Sequence, residues 1–245
     1  MSLYLPILMY HQIGAPAADH KPDLYVPAER LREHLECLSD LGFHGIGPDL
    51  LAAALSGAKE KLPSRPVLVT FDDASAPAFA PVIEILAAGG FPAVAYFVAG
   101  DEGTLPGRGE LSAYVQAGIT IGSHCLTHRP LAGLSDEAVR AELVESRFRL
   151  EAAAGGPVEH LAYPFGSYGR REVLMARDAG YRTAVSTRRG NRHRPSERLC
   201  LRRVPIRPDT DCRRLTRYLG AAWHWEHAIK ERLGFERRNQ RRAHP

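Results

Sequence analysis

Short apolar runs recur along the chain, each ending on polar residues and followed by a stretch of helical periodicity. Leu5 to Tyr10 is the first and stops at His11. Val67 to Phe71 is mostly β-branched or aromatic, is bounded upstream by Pro63 and Pro66, and ends on Asp72 and Asp73. Such a run suits a strand buried on both faces, as in a parallel sheet. Further strands are predicted at Ala93 to Val98, Ile119 to Ser123, Leu161 to Tyr163, Thr183 to Ser186 and Leu201 to Ile206, with a short one at Phe43 to Ile46. Between them, helices are predicted at Ala28 to Leu38, Leu50 to Leu55, Ala76 to Ala88, Leu111 to Ala117, Ser135 to Ala154 and Gly169 to Ala179. Ser135 is the expected N-cap of the longest helix and Gly155 its stop. Asp209 is the expected cap of a last helix running into Trp223 and on towards Leu233.

Strand and helix alternate through roughly seven or eight strands, which predicts an α/β fold with a parallel sheet and outer helices. The count suits a distorted (β/α) barrel of about seven parallel strands better than a doubly wound sheet. Neither GxGxxG nor GxxxxGK[ST] follows a strand, so dinucleotide and P-loop sites are not indicated. The expected organisation is a single barrel over residues 1–235 and a basic, disordered tail over 236–245.

Polar candidates collect at one end of this barrel. His11, the Asp72-Asp73 pair, the His124 and His128 pair, and the turn from Tyr163 to Gly166 each follow a strand. In parallel barrels the C-terminal strand ends build the site, so these chain-distant groups converge. An Asp pair after a strand can be merely a helix cap, but a cap explains only one of the two. Histidines four apart reach one ion from a helical turn or tight loop, and two His with one carboxylate is a recurrent catalytic metal set. Asp73 is the carboxylate to pair with them. Asp72 would then take a proton from a metal-activated water. His11 is the histidine placed to return a proton to a leaving amine.

Thr70-Phe71-Asp72-Asp73 and Gly122-Ser123-His124-Cys125-Leu126-Thr127-His128 resemble the first two motifs of the NodB-type polysaccharide deacetylases, carbohydrate esterase family four. Ala162-Tyr163-Pro164-Phe165-Gly166 resembles the third, and Met9-Tyr10-His11-Gln12-Ile13 resembles the N-terminal strand of the circularly permuted branch that includes poly-N-acetylglucosamine deacetylases. The resemblance implies a metal-dependent hydrolase that removes N-acetyl groups from amino sugars. It implies Asp72 as general base, His11 as acid, and Asp73, His124 and His128 as ligands of a divalent metal. Zinc is the first expectation, with cobalt, manganese, nickel or iron as substitutes. The backbone N–H of Phe165 would stabilise the oxyanion, and Tyr163 would face the substrate. Two alternatives stay open: the same metal site acting on a small amide or imide, and a non-catalytic glycan-binding barrel.

Three departures from the family pattern bear on the site. Ala74 stands where the family usually has Gly, which excludes a left-handed backbone there. Cys125 replaces the usual Ser or Thr after the first histidine. No arginine precedes Pro164 to orient the base, and Arg188 and Arg189 are the nearest substitutes to consider. Trp223-His224-Trp225-Glu226-His227 reads as an amphipathic helix rather than a metal site, and His160 as structural or exposed. His193 lies in a basic loop that could line a substrate groove.

Hydrophobic residues make up 44% of the 245, enough for a sizeable core. The net charge is +4, but residues 182–245 hold 18 basic and 6 acidic side chains, a local +12. That excess reads first as a solvated basic face, and an anionic or phosphate-bearing carbohydrate is the partner it would suit; no specific nucleic acid is expected, and nothing assigns an oligomeric state. The four cysteines show no CxxC spacing, so neither a disulfide framework nor an oxidising compartment is expected. No run approaches the ~18 apolar residues of a membrane span. With no leader pattern in the chain as given, a cytoplasmic location is the expectation, and export of a longer precursor the alternative.

Overall fold

The computed structural model describes residues 2–15, 22–58, 61–101, 103 and 105–232. The expected tail, 236–245, lies outside them. Seven strands close a barrel: β1 (Ile7–Tyr10), β2 (Pro66–Phe71), β3 (Ala93–Phe97), β4 (Ile119–Ser123), β5 (His160–Ala162), β6 (Thr183–Arg189) and β7 (Leu201–Pro205). Each pairs in parallel with the next in chain order, and β7 pairs with β1 to complete the circle. The expected distorted (β/α) barrel of seven parallel strands is the fold found.

Eight α-helices surround it among the described residues: α1 (Ala28–Asp40), α2 (Pro48–Leu55), α3 (Ala76–Gly89), α4 (Arg108–Gln116), α5 (Asp136–Ala154), α6 (Arg170–Asp178), α7 (Cys212–Leu219) and α8 (Ala221–Arg232). The short predicted strand after α1 is His44–Gly45, paired with β2 outside the barrel circle. Strand alternation separates two cores. Leu8, Tyr10, Val67, Val69 and Phe71 face the helices, where Tyr10 stacks on Phe71. Leu5, Ile7, Leu68, Val94, Tyr96, Val185 and Leu201 form a second cluster with Leu51 and Leu55 of α2, which therefore plugs the barrel. Inside, Tyr96 lies so close to Gly122 that an added Cβ there would sit 2.4 Å from its ring. Only glycine fits that position on β4.

The last predicted helix differs in two ways. It breaks at Gly220, whose extended backbone separates α7 from α8. Its cap is Asp211, whose side chain accepts from the Arg214 N–H at 2.7 Å, while Asp209 pairs with the Arg214 guanidinium. Trp223 and His227 pack on each other at the base of α8, in keeping with a packing rather than a metal role.

A disulfide joins Cys37 of α1 to Cys212 of α7, with Cα atoms 6.0 Å apart. This corrects the expectation of no disulfide. Pairing cysteines 175 residues apart depends on the barrel bringing the first and seventh helices together. One turn earlier on α1, the His34 Nε2–H donates to the Thr210 carbonyl at 2.7 Å, and the Tyr10 hydroxyl donates to His34 Nδ1 at 2.9 Å. Reduction should therefore lower stability by about 2–4 kcal/mol, or roughly 5–15 °C in Tm. Thermal unfolding with and without dithiothreitol checks this. A thiol count on denatured protein should find only the two free cysteines, Cys125 and Cys200, before reduction. Four thiols and an unchanged Tm would remove the staple.

Candidate metal and catalytic site

The site sits where the strands end. β1 and β2 are in register at Tyr10 and Phe71, so His11 and Asp72 leave the sheet side by side. Asp72 continues the inward parity of Leu68 and Thr70. Its N–H still donates to the Tyr10 carbonyl at 3.0 Å, so it is held as part of the sheet.

Arg203 of β7 is fully buried inside the barrel, two residues beyond inward-facing Leu201. Its Nη1 and Nη2 donate to Asp72 Oδ1 and Oδ2 at 2.7 and 2.5 Å, a bidentate pair. The Arg203 Nε–H donates to the Ser186 carbonyl at 2.9 Å, and Nη1 also donates to Thr70 Oγ1 at 3.1 Å. Burial raises the Asp72 pKa, but the charge and hydrogen bonds of Arg203 outweigh it and hold the carboxyl well below the usual range. Asp72 is thus a buried carboxylate whose arginine partner favours the ionised form.

Arg203 is the group that the sequence reading missed. Arg188 instead donates to the Tyr168 hydroxyl at 2.9 Å and pairs with Glu231, while Arg189 meets His227 at 3.4 Å. The signal for Arg203 was present: a charged residue at inward parity inside the apolar run Leu201 to Ile206.

Asp73, His124 and His128 come together, their ligand atoms lying within 4.8 Å of one another. Asp73 Oδ1 is 3.6 Å from His124 Nε2 and 3.2 Å from His128 Nε2. Two ligand atoms about 2.0–2.2 Å from one tetrahedral ion lie roughly 3.4 Å apart, so these separations fit a shared divalent ion. The second interactions fit as well. His124 Nδ1–H donates to the Ala162 carbonyl at 2.7 Å, which leaves the Nε2 lone pair free to ligate. The Asp73 carbonyl accepts from Gln12 Nε2 at 2.5 Å, tying the residue after His11 to the ligand. Burial and the neighbouring His124 lower the His128 pKa, favouring the neutral imidazole that ligation needs.

Backbone strain is concentrated here. Asp73, Cys125, His128 and Phe165 have φ of 52°, 64°, 54° and 57° without being glycine. Ala74 does not take a left-handed conformation; Asp73 itself does, which turns its carboxylate away from Asp72 towards the histidines. Cys125 is fully buried, burial pushes its thiol far up, and it is not among the residues whose ligand atoms cluster with Asp73.

His11 is partly buried and within electrostatic reach of Asp72, Asp73 and His124. Burial lowers its pKa, and the two carboxylates pull in the other direction. The Phe165 ring lies tilted against the His128 ring, centroids 4.6 Å apart, in the turn closed by the Gly166 N–H donating to the Tyr163 carbonyl at 2.8 Å. At Gly166 (φ 65°) a Cβ would strike Thr187 Oγ1 at 2.1 Å, so glycine keeps this turn against β6.

Two expectations are corrected. The Tyr163 side chain does not face a substrate: it is fully buried, its hydroxyl donates to the Leu199 carbonyl at 3.0 Å, and its ring stacks on Tyr168. His193 lines no groove: it is buried and its Nε2–H donates to the Leu5 carbonyl at 2.8 Å, where burial lowers its pKa to about 4. His160 is structural, buried against Thr183 Oγ1 at 2.8 Å.

A seven-stranded parallel barrel with a carboxylate–histidine–histidine cluster beside an arginine-locked aspartate defines a class of barrel hydrolase. The polysaccharide deacetylase family model matches residues 59–184, which include both Asp-Asp and His-His motifs, and the chain belongs to that family. Membership makes deacetylation the reaction class and a carbohydrate the substrate class. The chain is 28% identical over 207 residues to YxkH of Bacillus subtilis (strain 168), whose name assigns it to the polysaccharide deacetylases, covering 83% of this chain and 72% of that protein. Among solved structures, the Streptococcus pyogenes deacetylase PplD in complex with acetate superposes with a TM-score of 0.81 at 22% identity, covering 90% of this chain and 100% of the other. IcaB from Ammonifex degensii superposes at 0.73 with 19% identity, covering 89% and 97%. At these identities the likeness is one of fold, and it bears out the NodB-type reading of the barrel.

Proposed function

We propose that the protein is a metal-dependent N-deacetylase of N-acetylated amino sugars in a glycan or glycoconjugate. The observation that carries this reading is the adjacency of Asp73, grouped with His124 and His128, and Asp72, locked in its ionised form by Arg203. A binding module has no need of a buried, arginine-held base next to a ligand cluster.

Asp73, His124 and His128 would hold a divalent ion, zinc by the character of the donors, with cobalt, manganese, nickel or iron as substitutes. When bound, such an ion supplies Lewis-acid polarisation of the amide carbonyl and a more acidic water. Asp72 takes the proton of the attacking water. Its two oxygens each keep a lone pair beyond the one used by Arg203, so the carboxylate can accept while remaining fixed. His11 gives a proton to the departing amine nitrogen; burial lowers its pKa, and the neighbouring Asp72 and Asp73 carboxylates are what favour the protonated form it needs as an acid. The Phe165 N–H is the proposed donor to the oxygen that gains charge, supported by the turn's place beside His128.

The Cys37–Cys212 disulfide supports work in an oxidising compartment, against the cytoplasmic expectation. No described helix is long and apolar enough to cross a membrane. Of the basic residues in 182–245, Arg203 pairs with Asp72 and Arg182 with Asp49 and Glu159, so acidic groups outside the stretch offset only a small part of its +12.

Mass spectrometry of N-acetylglucosamine oligomers after incubation with the zinc-loaded protein tests the reading, beside a panel of small amides and imides. Free amino groups on the sugar are expected. Turnover of the small amides or imides alone would move the substrate away from glycans.

A further inference from the structure

α5 carries a buried carboxylate that the chemistry above does not use. Glu142 is 1% exposed and faces the loop between the two histidines. Its Oε2 accepts the backbone N–H of Leu126 at 2.8 Å and of Thr127 at 2.9 Å. Its Oε1 accepts from the Thr127 hydroxyl and from Arg129 Nη2, the latter at 3.3 Å. One helical turn on, the Ser146 hydroxyl meets Ser123 Oγ at 3.0 Å, and Ser123 Oγ accepts the Cys125 N–H at 3.1 Å. Three successive loop N–H groups, those of Cys125, Leu126 and Thr127, therefore end on side chains that belong to α5 or are tied to it. Successive converging N–H groups form a concavity suited to an anion. Here the chain's own Glu142 occupies it.

The same loop is strained at both ends, with Cys125 and His128 in the left-handed region. On the opposite side its carbonyls are taken by Ala99 N–H and Gly100 N–H, at 3.0 and 2.8 Å. A buried carboxylate is costly where apolar packing alone would serve, so its presence calls for a backbone shape that packing does not impose. That shape brings His128 back over Asp73, four residues after His124.

We infer that Glu142 is a positioning residue for the metal ligands: by clamping the backbone at Leu126 and Thr127, it fixes the separation of His124 and His128. It touches no ligand atom and acts only through the loop. The inference rests on the metal-site reading of Asp73, His124 and His128.

The test is calorimetric titration of Zn²⁺ into the metal-free chain, for the unaltered protein, Glu142→Gln and Leu150→Ala. Leu150 lies on the same helix, two turns beyond Glu142 and fully buried in the outer core, and its truncation destabilises the barrel without removing any of the loop's hydrogen bonds. In Glu142→Gln the amide NH₂ replaces one acceptor and opposes the N–H groups it should receive. The expected result is zinc affinity about 10–100-fold weaker in Glu142→Gln, the range for loss of a group that orients ligands. Leu150→Ala should bind as the unaltered protein does, although its metal-free Tm falls. Should Glu142→Gln fail to fold, Glu142→Asp, one methylene too short to reach the loop, should weaken zinc in the same direction. Unchanged affinity in the Glu142 variant, or an equal loss in Leu150→Ala, would overturn the positioning role. Failure of the unaltered protein to bind zinc would instead remove the metal site on which the inference stands.

Discussion

Asp72→Asn lowers acetate release by about 10²–10⁴-fold while zinc still binds, the magnitude expected for loss of a general base. The substitution keeps the shape of the side chain and one acceptor for Arg203, while its amide NH₂ opposes the other Arg203 N–H, so some stability is lost although the barrel still forms. What it removes is the negative charge and the basicity. Asp73, His124 and His128 are untouched, and Asp73 points to the histidines rather than to Asp72's partner, so metal affinity should change little. Paired measurements of acetate release and zinc stoichiometry on one preparation separate the two effects. A variant that turns over at the normal rate would take Asp72 out of the chemistry. A variant that loses its zinc would show that the adjacent carboxylates do not divide their roles.

Arg203→Met should destabilise the metal-free protein by about 3–5 kcal/mol and reduce turnover at least as much as Asp72→Asn does. The loss follows from leaving a buried carboxylate without its bidentate partner, not from the small net value of the pair itself. The pH dependence should also change sign. In the unaltered protein Asp72 has a depressed pKa, so its contribution is present above the unfolded value of about 4 and lost as pH falls below it. In Arg203→Met burial is left against only the weaker pull of His124 and His11, the folded pKa rises above the unfolded one, and the variant loses stability as pH increases from about 4. Thermal unfolding of both metal-free proteins from about pH 3 to pH 7 reads this directly. Parallel Tm curves with a constant offset would mean that Arg203 serves packing and not the charge state of Asp72.

The barrel was legible because its strands are short apolar runs with polar stops. Val67 to Phe71 and Ala93 to Phe97 are uninterrupted, and parallel burial on both faces demands that composition. The cluster was legible because His11, Asp72, Asp73, His124 and His128 each stand at a strand exit or just beyond it. Arg203 was not, because its significance lies in strand parity: in a chain rich in arginine it read as one more basic residue. Tyr163 misled for a related reason. An aromatic at a strand exit can turn either way, and here its hydroxyl found the Leu199 carbonyl in the outer layer. The disulfide required knowing that α1 and α7 are neighbours, which only closure of the barrel provides. Two-residue pairings such as Leu3–Tyr4 with Arg192–His193 are too short to leave any periodicity in the sequence.

Deacetylation is expected to depend on a metal held by Asp73, His124 and His128. That dependence is tested most directly by titrating zinc into the metal-stripped protein while following acetate release from N-acetylglucosamine oligomers. No release is expected without metal, and a rise to a plateau at one equivalent. Full release from the stripped protein, or none after one equivalent has bound, would contradict that dependence.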